Sequence, residues 1–190
     1  MDQRDEVELA ELAVLLQQRN ALDARLGALL GRPALVGHIG EWIAARIFDI
    51  ELEHGANVAG YDGRFTTGLL AGRTVNVKAY GKLEGLLDIN LNAPVDCYLV
   101  FAGPKAAAGS SRGGLRPFCI DSVHLFDAER LHVALRERGV KIGVATSVRA
   151  ALWEAAEVYP RANSLDLVVD EAQRRQIAMF ASDWPGPALA

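Results

Sequence analysis

The sequence predicts an α/β domain in which a mixed β-sheet is flanked by helices and preceded by one long helix. Apolar residues recur at spacings of three and four near the start of the chain, β-branched and aromatic runs follow in the middle, and capped helical segments return towards the end. The 190 residues, 51% of them hydrophobic, suit one domain with an appended helical element. No Gly-x-Gly-x-x-Gly follows a predicted strand, so a dinucleotide-binding unit is not expected.

The long helix is predicted over residues 5–30, and Gly31-Arg32-Pro33 ends it. Its leucines recur at helical spacing: Leu9, Leu12, Leu16, Leu22, Leu26 and Leu29. At about 1.5 Å per residue the helix would be about 40 Å long, more than a small core requires. We therefore expect it to pack on helices near the C-terminus or on a second copy, as a homodimer. The predicted organisation is a packing or dimerisation helix at residues 1–32, a domain at 33–182 and a frayed tail at 183–190.

The other elements follow in chain order. A second helix is predicted over residues 38–50, and a loop rich in Gly, Ala and Ser over residues 103–114. Strands are predicted at residues 57–66, 73–80, 95–102, 116–126 and 140–145. Later helices are predicted at residues 127–138, from 146 or 147 to just before Pro160, and at 170–181.

Composition and charge limit the classes of function. The net charge is −4, yet residues 63–120 hold seven Lys or Arg against three acids, so this part is the expected surface for an anionic partner. No run of about 20 apolar residues occurs, and no basic-then-apolar start, so a cytoplasmic protein without membrane spans is expected. Cys97 and Cys119 lie in strand-like apolar runs and are predicted to be buried thiols.

Four polar residues are candidates for a metal- and phosphate-binding site. Side chains two apart in a strand share a face, so Asn76 and Lys78 point the same way from the strand predicted at residues 73–80. Asp62 lies in a Gly-Tyr-Asp-Gly turn before that strand, and Glu41 lies on the second helix. Oxygen ligands suit Mg²⁺, and an amine beside them suits a phosphate. The pattern therefore predicts a site for a divalent metal and a phosphate.

Each of these residues also has an explanation that involves no chemistry. Asp before Gly is a common turn residue that caps its own backbone, as Asp62 would. Lys78 on a strand face is ordinarily solvated and discourages aggregation at a sheet edge. Glu41 in the first turn of a helix interacts favourably with the helix dipole. Asn is depleted in strands, so Asn76 is the residue that such explanations cover least.

The order Glu41, Asp62 and Asn76-Val77-Lys78 resembles the restriction-endonuclease-like superfamily, whose signature is PD-(D/E)xK with a further Glu on an earlier helix. More specifically, several passages look like a bacterial domain family of unknown function assigned to that superfamily: residues 37–48, 60–65, 72–81 and 147–160. The resemblance implies a restriction-endonuclease-like fold. It also implies Mg²⁺-dependent (or Mn²⁺-dependent) endonuclease activity on nucleic acid, with DNA favoured as the substrate.

The resemblance also implies roles. Asp62 and Glu41 would bind the metal, Asn76 would complete its ligands, and Lys78 would contact the scissile phosphate or help to activate the attacking water. Contacts to the nucleic-acid backbone are further predicted for three basic side chains: Arg64, Lys82 and Arg112. Asn76 stands where the pattern has an acid, which removes one negative charge from the site. The alternative is therefore a nuclease-fold protein that binds nucleic acid or another protein without hydrolysing anything.

Overall fold

A computed structural model describes residues 3–53, 60–107 and 116–186 of the chain. The helices in these residues are α1 (Gln3–Leu30), α2 (Val36–Ile47), α3 (Ala128–Arg136), α4 (Ala150–Ala156) and α5 (Glu171–Ala178). The strands are β1 (Ile50–Leu52), β2 (Gly63–Phe65), β3 (Thr74–Tyr80), β4 (Leu86–Leu87), β5 (Cys97–Ala102), β6 (Ser122–Asp127), β7 (Thr146–Ser147) and β8 (Glu157–Tyr159).

The main sheet has six strands in the order β1-β2-β3-β5-β6-β8. Neighbouring strands are antiparallel except β3 and β5, which run parallel. The sheet is therefore mixed, and the predicted α/β class is confirmed. Strands β4 and β7 form a separate antiparallel pair. Dividing the chain at residues 32 and 182 stays a prediction.

The two faces of the sheet carry two apolar cores. Val77 packs in the core beneath α2 and α5, as the alternation of side chains along β3 predicts. Tyr98 and Val100 belong to the second core, beneath α3 and α4. They are the register partners of Asn76 and Lys78 in β3. Asn76 and Lys78 therefore lie on the sheet face opposite α2, and the predicted alternation is confirmed.

Helix α1 is the long helix that the leucine spacing predicts. From Arg4 to Leu22 every residue is exposed, and only the last turns of the helix are partly covered. Gly31, with a φ of +73°, ends the helix in the left-handed region that glycine tolerates. Among the described residues the main contact of α1 is with α2, and no contact of similar extent joins it to the C-terminal helices as predicted.

The structure differs from the predicted elements where short strands pair over long sequence distances. Residues 140–145 form no strand, and β7 begins directly after them. Residues 157–159 are not the end of the helix that was predicted to run to just before Pro160. They form β8 instead, because Glu157 pairs with His124 of β6. The strand predicted at 116–126 begins only at β6, and the one at 57–66 is reduced to β2, its residues 57–59 lying outside the described part. Strand β1 was not predicted.

His124 is a buried, neutral histidine whose ionisation should limit stability in mild acid. Its Nδ1 donates to the Trp153 carbonyl at 2.9 Å, and its Nε2 accepts from the Ser122 hydroxyl at 3.0 Å. Burial lowers the pKa of His124, so the unfolded chain binds a proton more readily. The free energy of unfolding should therefore fall as pH drops below about 6.5.

We expect His124→Gln to flatten that dependence between about pH 7 and pH 5, since the group that titrates is gone. Urea unfolding at several pH values measures it. Burial also lowers the pKa of His132, so His132 makes the free energy of unfolding depend on pH in the same direction. The His124→Gln variant keeps this part of the dependence. An unchanged pH dependence in His124→Gln would show that His124 is not the group responsible.

Two further predictions concern burial and membranes. Cys97 and Cys119 are buried thiols, as predicted, and burial raises the pKa of Cys97 to about 12. Within residues 3–53, 60–107 and 116–186, none of the helices is long and apolar enough to cross a membrane.

Candidate functional site

The predicted site residues gather where β2 separates from β3. The ladder between these strands pairs Gly63 with Val75 and Arg64 with Thr74, and the chain before Gly63 then turns away. Asp62 is the last residue tied to β3, through its backbone N–H to the Val75 carbonyl at 2.8 Å. A side chain at Gly63 would overlap the backbone of Glu51 in β1. Glycine there allows the close strand approach that fixes Asp62.

The carboxylate of Asp62 is held against the part of the β3 edge that β2 does not pair with. Its Oδ2 accepts a hydrogen bond from the Val77 backbone N–H at 2.7 Å. Val77 has no ladder partner on this side because β2 has already diverged. The hydrogen bond fixes the carboxylate and leaves its second oxygen, Oδ1, available to a ligand.

Glu41 reaches the same region from α2. A Cβ on its neighbour Gly40 would lie 3.0 Å from the Cβ of Ala79 and 3.9 Å from Val77, so α2 lies close to β3 at this point. The carboxylate of Glu41 forms an ion pair with Arg32, with 2.7 Å between Oε2 and Nη2. Arg32, in the link between α1 and α2, was not predicted as a site residue. The only sequence signal was that a lone carboxylate among small and aromatic residues needs a partner.

Asn76 carries an unsatisfied polar atom at the site. Its Oδ1 is buried and has no hydrogen-bond partner among the described residues. The amide nitrogen makes one long contact, 3.4 Å to the carbonyl of Gly60, two residues before Asp62. A buried carbonyl oxygen without a hydrogen-bond donor costs free energy. A ligand that binds this oxygen, such as a cation, would remove that cost.

Lys78 is two residues further along the same face of β3, partly buried. Among the described residues it makes no hydrogen bond or close ion pair, and its positive charge acts on the Asp62 carboxylate. An unpaired ammonium beside a carboxylate and an amide oxygen is available to an anion such as phosphate.

The charges of these groups are coupled through Asp62. Burial raises the pKa of the Asp62 carboxyl above its usual range, and the negative charge of Glu41 raises it further. The hydrogen bond from Val77 and the positive charges of Lys78 and Arg32 oppose this rise. Glu41, Lys78 and Arg32 therefore lie within electrostatic range of Asp62. Three of the four predicted residues, Asp62, Glu41 and Lys78, are therefore brought within electrostatic range, whereas Asn76 is linked to this group, in the described part of the chain, only through its contact with Gly60.

The oxygen groups present fit a hard divalent cation. Two carboxylates, of Asp62 and Glu41, and the unsatisfied amide oxygen of Asn76 are the ligand types that Mg²⁺ takes, with water completing its shell. The described residues contain no group of three or more His, Cys, Asp or Glu that could hold a metal. A cation here would therefore be held by at most two carboxylates, with the amide of Asn76 as the candidate third protein ligand. Arg32 competes with the cation for Glu41.

The three residues predicted to contact nucleic acid differ in where they lie relative to Asp62. The guanidinium of Arg64 is engaged with Tyr61, donating to its hydroxyl at 2.8 Å and lying 4.8 Å from the ring centre. It is exposed and on β2, close to Asp62 in sequence and in the sheet. Lys82 follows the end of β3 and is partly buried. Arg112 lies outside the described residues.

A second polar cluster lies across the same sheet face. Lys78, Val100, His124 and Glu157 are successive register partners from β3 to β8. His124 and Glu157 line a cavity of about 210 Å³. However, Arg161 pairs with the buried carboxylate of Glu157 through contacts of 2.9 and 2.7 Å. Because both nitrogens of His124 are also hydrogen bonded, these groups stabilise the fold. The buried indole N–H of Trp153, which lines the same cavity, has no hydrogen-bond partner among the described residues.

No protein-family model matches the chain, and no curated protein matches it. The resemblance to the restriction-endonuclease-like superfamily therefore stays a prediction, and the function is inferred from the site itself.

Proposed function

We propose that the protein is an endonuclease of the restriction-endonuclease-like fold that hydrolyses nucleic-acid phosphodiester bonds, DNA in preference, with Mg²⁺ or Mn²⁺. The observation that carries the proposal is that Glu41 and the unpaired ammonium of Lys78 both act on the Asp62 carboxylate, while Asn76, on the same strand as Lys78, has a buried Oδ1 without a hydrogen-bond partner among the described residues. A solvated strand surface would not leave a buried acceptor without a donor. A metal and a phosphate would satisfy all four groups together.

Each residue has one task in this proposal. The bound metal would act as a Lewis acid on the phosphate and supply a nucleophile from water. Asp62 would bind the metal with its carboxylate, whose Oδ2 already accepts from the Val77 N–H. Asn76 would contribute a neutral oxygen, and Glu41 would contribute its carboxylate once its ion pair with Arg32 opens. Lys78 contacts a phosphate oxygen and balances the charge that develops on it.

Plasmid cleavage tests this function. We expect supercoiled plasmid to be nicked or linearised with Mg²⁺ or Mn²⁺ and to stay intact with EDTA. Lys78→Met should reduce cleavage by about 100-fold, equivalent to about 2.7 kcal/mol of transition-state stabilisation. It should keep the metal-induced rise in Tm, because Lys78 binds phosphate and not metal.

A matched control is Lys105→Met, another lysine of the basic middle region whose side chain lies at the cavity beside Trp153 and Glu157. It should leave cleavage unchanged. Equal losses in Lys78→Met and Lys105→Met would point to weaker nucleic-acid binding in general and would contradict a catalytic role for Lys78.

The second candidate function is a nuclease-fold protein that binds without cleaving. The ion pair between Arg32 and Glu41 favours it, because a guanidinium already neutralises one of the two acids. An amide at Asn76 also leaves the site less negative than three acids would. If metal causes no rise in the Tm of the wild-type protein and the plasmid stays intact, this candidate is favoured.

A further inference from the structure

Helix α1 presents a wide leucine face that nothing in the described chain covers. Six leucines of this face each expose between 41% and 63% of their surface: Leu9, Leu12, Leu16, Leu22, Leu26 and Leu29. At about 100° per residue, they fall within about 160° of the helix circumference. Scattered exposed leucines need no explanation, but a contiguous face of this size marks an interaction surface.

The face has the symmetry of an interface between two copies of the chain. The six leucines are placed symmetrically about Arg19, at three, seven and ten residues on either side: Leu16 and Leu22, Leu12 and Leu26, Leu9 and Leu29. In a two-fold interface each residue of one copy meets a residue of the other, and the reverse contact repeats. Two antiparallel α1 helices that cross at Arg19 would place leucine against leucine at these six positions, while Leu15, another exposed leucine within the same arc, would lie opposite Asp23.

The charges of α1 favour the antiparallel orientation. Residues 3–16 hold four acids against one arginine, a net −3, whereas residues 17–30 hold two arginines against one acid, a net +1. Glu11 and Arg25 flank the same side of the leucine face. An antiparallel pair brings Glu11 near Arg25 of the second copy, while a parallel pair would place like charges opposite each other.

The centre of the face is polar and fixes the register. Arg19 forms an ion pair with Asp23, with 3.5 Å between Nε and Oδ2. At the two-fold axis two such pairs would meet, with a total charge of zero. A shifted register would move Arg19 from the axis and place it against leucines, at the cost of its solvation.

We propose that two copies of this chain form an antiparallel dimer through the leucine face of α1, with the two-fold axis at Arg19. The dimer is independent of the proposed hydrolysis. The inference rests on α1 and uses none of the residues assigned to the site around Asp62.

The mass in solution tests the dimer. Sedimentation equilibrium should give twice the chain mass of 20.5 kDa. Leu16→Glu with Leu22→Glu should raise the dissociation constant at least 100-fold, because both side chains are at the centre of the face. Ala13→Glu with Ala24→Glu adds the same charge on the opposite side of α1 and should leave the dimer intact. A monomeric wild type at about 0.1 mM would overturn the proposal, as would equal dissociation of both double variants.

The orientation is tested by disulfide trapping. The native cysteines are buried, so an added thiol on α1 reacts first. A mixture of Leu9→Cys and Leu29→Cys chains should form a mixed disulfide, and Leu9→Cys alone should form none. Rapid cross-linking of Leu9→Cys with itself would show a parallel pair and would overturn the antiparallel dimer.

Discussion

Replacing Asp62 by asparagine is expected to abolish metal-dependent cleavage and, at the same time, to raise the Tm of the metal-free protein. Cleavage should fall at least about 100-fold, since a charged metal ligand is lost. The Tm should rise because folding raises the pKa of Asp62, through burial first and through Glu41, so the ionised carboxylate costs folding free energy at neutral pH. The asparagine can still accept the hydrogen bond from Val77.

Differential scanning fluorimetry with and without Mn²⁺ measures both parts of this prediction. At a metal concentration of about 100 times the dissociation constant, the wild type should gain about 2.7 kcal/mol, and the variant should gain almost none. Asp166→Asn is the control, since its exposed ion pair with Arg130 spans 3.6 Å. It should behave as the wild type in both assays. A destabilised Asp62→Asn protein that still cleaves would contradict this role for Asp62.

Replacing Phe101 by alanine is expected to cost about 3–5 kcal/mol of unfolding free energy and also to weaken the site. Phe101 is 1% exposed in the core beneath α2 and stacks on Phe48, with 6.3 Å between ring centroids. Its ring also lies 3.9 Å from the Cβ position of Gly40, beside Glu41. The cavity left by Phe101 therefore undermines the helix that carries Glu41.

Phe126→Ala is the matched control for this cavity. Phe126 is 4% exposed in the second core, where its ring packs edge-on against Trp153. We expect a similar loss of unfolding free energy in urea, but an unchanged Mn²⁺ affinity at low temperature. Equal losses of metal affinity in both variants would show that Glu41 does not depend on the packing beneath α2.

Local patterns were enough to predict the elements that local physics determines. The leucine spacing predicts α1 to within two residues at its start, and Asp127 caps α3 by accepting from the Arg130 N–H at 3.0 Å. The alternation of β3 predicts the shared face of Asn76 and Lys78. Each of these signals lies within a single helix or strand or at its cap, so no tertiary contact is needed to see it.

The elements that were missed depend on distant partners. Strand β1 has three residues and exists because it pairs with β2, and β8 exists because Glu157 pairs with His124 of β6. Arg32 was missed for the same reason, since its contact with Glu41 depends on how α2 leaves the link after α1. Sequence spacing carries no signal for an ion pair formed by a loop residue.

Manganese bound in a crystal of the wild-type protein, located by anomalous scattering, tests the central claim most directly. We predict one peak per chain among the oxygens of Asp62, Glu41 and Asn76, with Arg32 displaced from Glu41, and no such peak in Asp62→Asn crystals. If the soaked crystals show the Asn76 oxygen unligated and the Arg32–Glu41 ion pair intact, metal-dependent hydrolysis at this site is contradicted.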